Sequence, residues 1–127
     1  MPLLTVTTTA DPPADARDDI ANALTEAYAD VMDTTTGHVA VVFERVDDAD
    51  MHLGREEPGD LCFLEADIRR GRDEERRRSY AIAAMDILAD RFDVPTANLK
   101  VVFTQHPGVE LMGYERVGSE WSADEAE

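Results

Sequence analysis

The sequence predicts an α+β fold of two layers. Two tandem β-α-β units would share one four-stranded mixed sheet, with two helices on one face and short edge strands. Three observations carry this. The 127 residues run strand-like, helix-like, strand-like, and then repeat that order. Val41-Val42-Phe43 recurs as Val101-Val102-Phe103, and the same 60-residue offset joins Arg17 to Arg77, Ala29 to Ala89 and Asp33 to Asp93. Both helix-like segments carry apolar residues at spacings of three and four, as a helix packing one face requires.

Residues 2–9 form an apolar, β-prone first strand. Asp11-Pro12-Pro13 breaks it and opens a helix over 14–32, in which Ile20, Leu24, Ala27 and Val31 line one face. Thr34-Thr35-Thr36-Gly37 ends that helix, and 38–46 is a β-branched and aromatic strand. The polar stretch 47–60 is broken by Gly54, Pro58 and Gly59, with Met51-His52-Leu53-Gly54 as a candidate short edge strand. Residues 61–68 form the third strand and 69–72 a basic loop. Asp73 is the expected N-cap of a helix over 73–92, with Tyr80, Ala84, Ile87, Leu88 and Arg91 on or near one face. Pro95 stops it, and 98–104 is the fourth strand. One domain is expected over residues 1–121, with pseudo-repeats at about 2–46 and 61–104, and an acidic tail at 122–127 without fixed structure. In the repeat, Pro2 corresponds to Cys62, so each opens the inner strand of its unit. A sheet with helices on one side leaves its other face bare, and a homo-oligomer is the simplest cover.

Composition excludes several classes. The net charge is -16, from 28 acidic residues against 12 lysines and arginines, and such a surface repels nucleic acid and anionic membranes. The acids are spread along the chain, which fits a surface adapted to a high-salt cytoplasm better than a docking patch. One cysteine, Cys62, excludes an internal disulfide and a cysteine-based zinc cluster, and its apolar setting marks it as a buried hydrophobe. No apolar run is long enough for a membrane helix, no secretory leader is visible, and a cytoplasmic protein is expected. His38, His52 and His106 lack metal-ligand spacing, so neither a metal nor a cofactor is expected. His38 reads as the surface start of a strand.

Pro2 is the first residue that could do chemistry. A small second residue favours removal of Met1, which would leave Pro2 with a secondary amine. α-Amino groups ionise at roughly pH 7.7–8.0, so a modest shift makes one a base near neutrality. Alternatively, Pro2 only blocks the edge of a strand. The second feature is Arg69-Arg70-Gly71-Arg72, three arginines within four residues of a very acidic chain. A guanidinium binds a carboxylate as a planar, permanently charged fork, and cations beside an amine lower its pKa. Pairing with Asp67, Asp73 and Glu74 is the plainer alternative for this loop.

With these residues in place, the chain resembles the tautomerase superfamily, of the 4-oxalocrotonate tautomerase and macrophage migration inhibitory factor fold. It is most similar to the long-chain, cis-3-chloroacrylic acid dehalogenase-like group. The resemblance rests on Met1-Pro2 before a strand, Leu24-Thr25-Glu26-Ala27, Met51-His52-Leu53-Gly54 as a central hairpin, the basic loop, Val102-Phe103, and His106-Pro107 followed by Leu111-Met112-Gly113-Tyr114. It implies a homotrimer with inward-facing sheets, Pro2 as the catalytic residue, and Arg69 and Arg72 as holders of the substrate carboxylate, with Arg70 peripheral. Tyr28 stands where the dehalogenases have a histidine, and it is either a hydrogen-bond donor or a half-buried helix aromatic. Val102 stands where they have a tyrosine, and Gly113 where they have a water-activating glutamate. A true dehalogenase is therefore not expected. The expected function is a tautomerase or isomerase of a small 2-oxo or 2-hydroxydienoate carboxylic acid, with Pro2 as general base and Tyr28 as a hydrogen-bond partner. The alternatives are a hydratase or decarboxylase of a three-carbon acid at the same site, or a non-catalytic trimer of this fold.

Overall fold

The structure, a computed structural model, describes residues 1–123. The chain runs β1 (Leu3–Thr8), α1 (Ala14–Val31), β2 (Ala40–Arg45), β3 (Cys62–Arg69), α2 (Glu74–Phe92) and β4 (Leu99–His106). The sheet order is β2-β1-β3-β4. β1 pairs with β2 in parallel and β3 with β4 in parallel, each through its helix, while β1 and β3 are antiparallel at the centre. This is the mixed sheet of two β-α-β units expected from the repeat. The acidic end at 124–127 lies outside the described residues.

The repeat is visible in the packing. Leu4 and Val6 on β1, and Leu64, Ala66 and Ile68 on β3, point to the helices and are buried. On α1 the buried stripe is Ile20, Leu24 and Tyr28, and on α2 it is Tyr80, Ala84, Leu88 and Phe92, at matching offsets. Arg91 is exposed and stands off that stripe. Asp73 caps α2, its carboxylate accepting from Arg76 N at 2.8 Å. After the helices, Asp33 and Asp93 both take the left-handed backbone, with φ of 55° and 57°, which turns each chain back toward its strand.

The expected strand at Met51-His52-Leu53-Gly54 does not form. Asp48–Asp50 make a single 3-10 turn, and 51–53 continue as irregular chain. The segment is only a few residues long, flanked by that turn and Gly54, and pairs with no strand edge among the described residues. Buried Asn98 pins the end of this loop: it accepts from Glu57 N at 2.8 Å and donates to the carbonyls of Glu57 and Asp60. The only bridge outside the four strands joins Met112 and Val117, among the described residues.

The face of the sheet away from the helices carries Leu3, Thr5, Glu65, Val42 and Val102, and Leu3, Val42 and Val102 remain 39%, 43% and 44% exposed. No helix is long and apolar enough to cross a membrane, among the described residues.

Cys62 is fully buried, and burial pushes its thiol up to about 12, against a smaller opposing effect of a hydrogen bond with Thr8. An unfolded thiol ionises near pH ~8.5, so this group's contribution to stability is complete below that value and lost as pH rises toward 12. The expected outcome is a denaturation midpoint that falls steadily over that window. A thiol reagent at about pH 8 should label Cys62 only after unfolding; labelling of the native protein would contradict the packing.

Candidate active site

Pro2 sits at the head of β1. Its carbonyl accepts from Ala40 N at 3.0 Å, which fixes it in the β1–β2 ladder, and the residue is buried. Leu3 pairs with Asp67 across the centre of the sheet. The antiparallel register therefore runs the start of β1 alongside the end of β3, where Arg69 closes the strand and Arg72 follows in the loop before α2. Pro2, Tyr28, Arg69 and Arg72 line one cavity of about 170 Å³. All four residues singled out in the sequence thus meet in one place.

The two arginines are nearly enclosed, at 7% and 4% exposed. A buried guanidinium requires partners. Arg69 Nη1 donates to the Ser119 carbonyl at 3.0 Å, and Arg72 Nε donates to the Met32 carbonyl at 2.9 Å, at the end of α1. Arg72 also lies over two aromatic faces, 5.7 Å from the Tyr28 ring centroid and 4.9 Å from that of Trp121. Tyr28 is 1% exposed and packs edge-on against Tyr80 at 5.1 Å, so it is both a core residue and part of the cavity wall. Arg70 points away, into an exposed ion pair with Glu120 at 2.6 Å, and that pairing holds the Glu120 carboxyl below its usual value.

The chain after β4 completes the site. Gly113 and Arg116 exchange backbone hydrogen bonds, at 2.8 and 3.5 Å, and form the tip of a small hairpin closed by the Met112–Val117 bridge. From there Arg116, Val117, Gly118 and Ser119 form one wall of the cavity. The Arg72 and Arg76 guanidiniums both lie over the Trp121 ring, at 4.9 and 5.0 Å, and its N–H donates to the Asp33 carbonyl. The crossing is tight. A Cβ on Gly108 would lie 2.1 Å from the Ser119 carbonyl carbon, and one on Gly118 would lie 2.5 Å from the Gly108 carbonyl oxygen. A Cβ on Gly113 would stand 3.8 Å from the Met1 methyl, in ordinary contact. Gly113 therefore stands beside the Met1 side chain and places no carboxylate there.

Sequence reasoning left out part of this wall. His38 is exposed, as expected, yet it also lines the cavity together with Thr34 and Thr35, from the loop between α1 and β2. Nothing local marks a histidine in that loop. Arg116 carried a weak signal: it lies among Gly108, Gly113 and Gly118, whose regular spacing suits a chain that turns and crosses itself closely. Among the described residues no carboxylate lines the cavity.

Gly108→Ala should force Ser119 away from Arg69, destabilise the protein by about 1–3 kcal/mol, and shift Trp121 emission to longer wavelength. Gly54→Ala is the control, because nothing lies within 4 Å of a Cβ there. Equal effects of the two would show that the crossing does not hold the wall.

No protein-family profile matches the chain, and no curated protein matches it in sequence. Solved structures do. A member of the cis-3-chloroacrylic acid dehalogenase family is 25% identical, superposes with a TM-score of 0.84, and matches over 93% of this chain and 84% of its own. A fused 4-OT, solved as a symmetric trimer, is 16% identical with a TM-score of 0.82, over 92% of this chain and 95% of its own. The FG41 malonate semialdehyde decarboxylase inhibited by 3-bromopropiolate is 18% identical with a TM-score of 0.76, over 90% and 91%. At these identities the last two establish likeness of fold. The paired β-α-β units and these structural relatives, a member of the cis-3-chloroacrylic acid dehalogenase family among them, give the chain the fold of the tautomerase superfamily.

Proposed function

We propose that the protein is a tautomerase of a small 2-oxo or 2-hydroxydienoate acid. The observation that carries this reading is the shared cavity of Pro2, Arg69 and Arg72. Arg69 and Arg72 take the substrate carboxylate, for which the guanidinium is a planar, charged fork. Once Met1 is removed, the Pro2 nitrogen is a secondary amine at the end of a fixed strand. It takes the proton of the substrate's enol hydroxyl. The electron pair of that O–H bond moves into the carbonyl, the double bonds shift, and the proton returns from the Pro2 ammonium to a carbon of the conjugated system. No atom is lost, and the net change is isomerisation. Tyr28, on the cavity wall, stabilises the oxygen where charge changes.

Proton transfer fits this cavity better than hydrolysis does. Water activation needs a carboxylate base, and Gly113 and Val102 leave the dehalogenase positions without their glutamate and tyrosine. The half-exposed Leu3, Val42 and Val102 on the bare sheet face are covered in this reading by two further copies, in a homotrimer like the one in which the fused 4-OT was solved.

Intact mass of the purified protein should show loss of Met1. Pro2→Ala should lower kcat/KM for phenylpyruvate or 2-hydroxymuconate by about 10²–10⁴. Unchanged turnover removes Pro2 as the base. Sedimentation should give the mass of three protomers, and a monomer would leave the open sheet face unexplained.

A further inference from the structure

The end of α1 is held by side chains from two distant parts of the chain. Three consecutive carbonyls, of Val31, Met32 and Asp33, accept from Arg76 Nη1 at 3.3 Å, Arg72 Nε at 2.9 Å and the Trp121 indole N–H at 3.3 Å. Carbonyls at a helix C-terminus lack partners within the helix and favour cations beside them. Two guanidiniums brought to one spot repel each other. The Trp121 ring meets both, 4.9 Å from Arg72 and 5.0 Å from Arg76. The backbone fixes Trp121 there as well: its N–H donates to the Arg70 carbonyl at 3.1 Å. Gly71 has a φ of 127°, and a Cβ on it would stand 2.7 Å from the Trp121 carbonyl oxygen, so a glycine there lets the tail lie against the basic loop.

We propose that Trp121 is a positioning residue of the candidate site, whose ring holds the Arg72 guanidinium in the orientation it presents to the cavity. This deepens the reading above and rests on it only for the part Arg72 plays toward substrate. Trp121 is not on the cavity wall, among the described residues, whereas Arg72 is. Trp121 therefore acts on the site through Arg72. A long arginine side chain has many rotamers to lose. The Met32 carbonyl fixes Arg72 at Nε, and the rings of Tyr28 and Trp121 fix the guanidinium beyond it. Tyr28 is part of the core, but Trp121 comes from the tail, so the setting of Arg72 depends on the tail being docked.

Two readouts test this, one of them without substrate. Trp121→Leu removes both the aromatic face and the N–H, while Trp121→Phe keeps a ring. By ¹⁵N NMR of the Met1-free protein, the order parameter of the Arg72 Nε–H should fall in Trp121→Leu and its exchange with water should speed up. Trp121→Phe should stay close to the parent in both. With phenylpyruvate, Trp121→Leu should raise KM about fivefold to twentyfold with kcat within about twofold, and Trp121→Phe should bring KM back to within about threefold. In an Arg72→Gln background, Trp121→Leu should change KM by less than about twofold, because no guanidinium is left to place. An Arg72 Nε–H equally ordered in all three proteins, or effects of Trp121→Leu and Arg72→Gln that simply multiply, would overturn the proposal. If Arg72 loosens in Trp121→Leu while Arg72→Gln leaves KM unchanged, the carboxylate role of Arg72 fails and the hold of Trp121 on it stands. If Arg72 stays ordered while Arg72→Gln raises KM, the carboxylate role stands and Trp121 has no part in it.

Discussion

Leu3 of β1 faces Asp67 of β3 across an antiparallel pair, and the placement of the candidate site follows from that register. It sets the N-terminus beside the basic loop. Side chains alternate along a strand, so a slip of one residue would turn Leu4 and Val6 out of the core and break the buried stripe shared with Leu64, Ala66 and Ile68. The core therefore locks the register, and the register delivers Pro2 to Arg69 and Arg72. The opposite end of the same strand pair shows what the duplication alone supplies. There Thr8 faces Cys62, and the repeat offset puts Thr9 and Pro12 where the second unit has Arg69 and Arg72. Thr8 donates to the Leu61 carbonyl at 2.7 Å, and Thr9 links Asp60 and the Leu61 amide. That end is tied shut by local hydrogen bonds, so a nearly symmetric fold carries its basic loop at one end only.

Charge separates the surface from the site. Most carboxylates stand on the outside of the molecule, while the cavity wall is cationic. Two enclosed guanidiniums are tolerated because carbonyls and aromatic faces meet them: Ser119 for Arg69, and Met32, Tyr28 and Trp121 for Arg72. Several of these partners come from the chain after β4. The glycines at 108 and 118 let that segment cross itself closely enough to bring the Ser119 carbonyl in, and the Trp121 ring packs against the Arg72 guanidinium. Fold stability and site geometry thus meet in the tail.

The elements with strong periodicity were legible from the residues alone. Both helices announce themselves through their apolar stripes, Asp73 through its capping chemistry, and the paired units through the repeated Val-Val-Phe and the offset that also matches Asp33 to Asp93. Pro2, Arg69, Arg72 and Tyr28 were legible as a group only because a resemblance tied them together; distance along the chain does not. Met51–Gly54 was misread because a few β-compatible residues form a strand only when a sheet edge is there to pair with them, and none is among the described residues. The wall formed by residues 116–119 was only faintly legible, since the spacing of Gly108, Gly113 and Gly118 suits a crossing chain but does not say which cavity it walls.

In the proposed reading, the two guanidiniums that share a cavity with Pro2 keep its amine unprotonated at neutral pH. Like charges repel through distance and burial, so a protonated amine should be disfavoured by the arginines directly. The most direct measurement is a pH titration of the ¹⁵N-labelled Pro2 amine by NMR in the Met1-free protein. The account expects a midpoint below the ordinary α-amino range of roughly 7.7–8.0, moving up toward that range in Arg72→Gln. A midpoint at or above the range, or one that ignores the loss of Arg72, would contradict it.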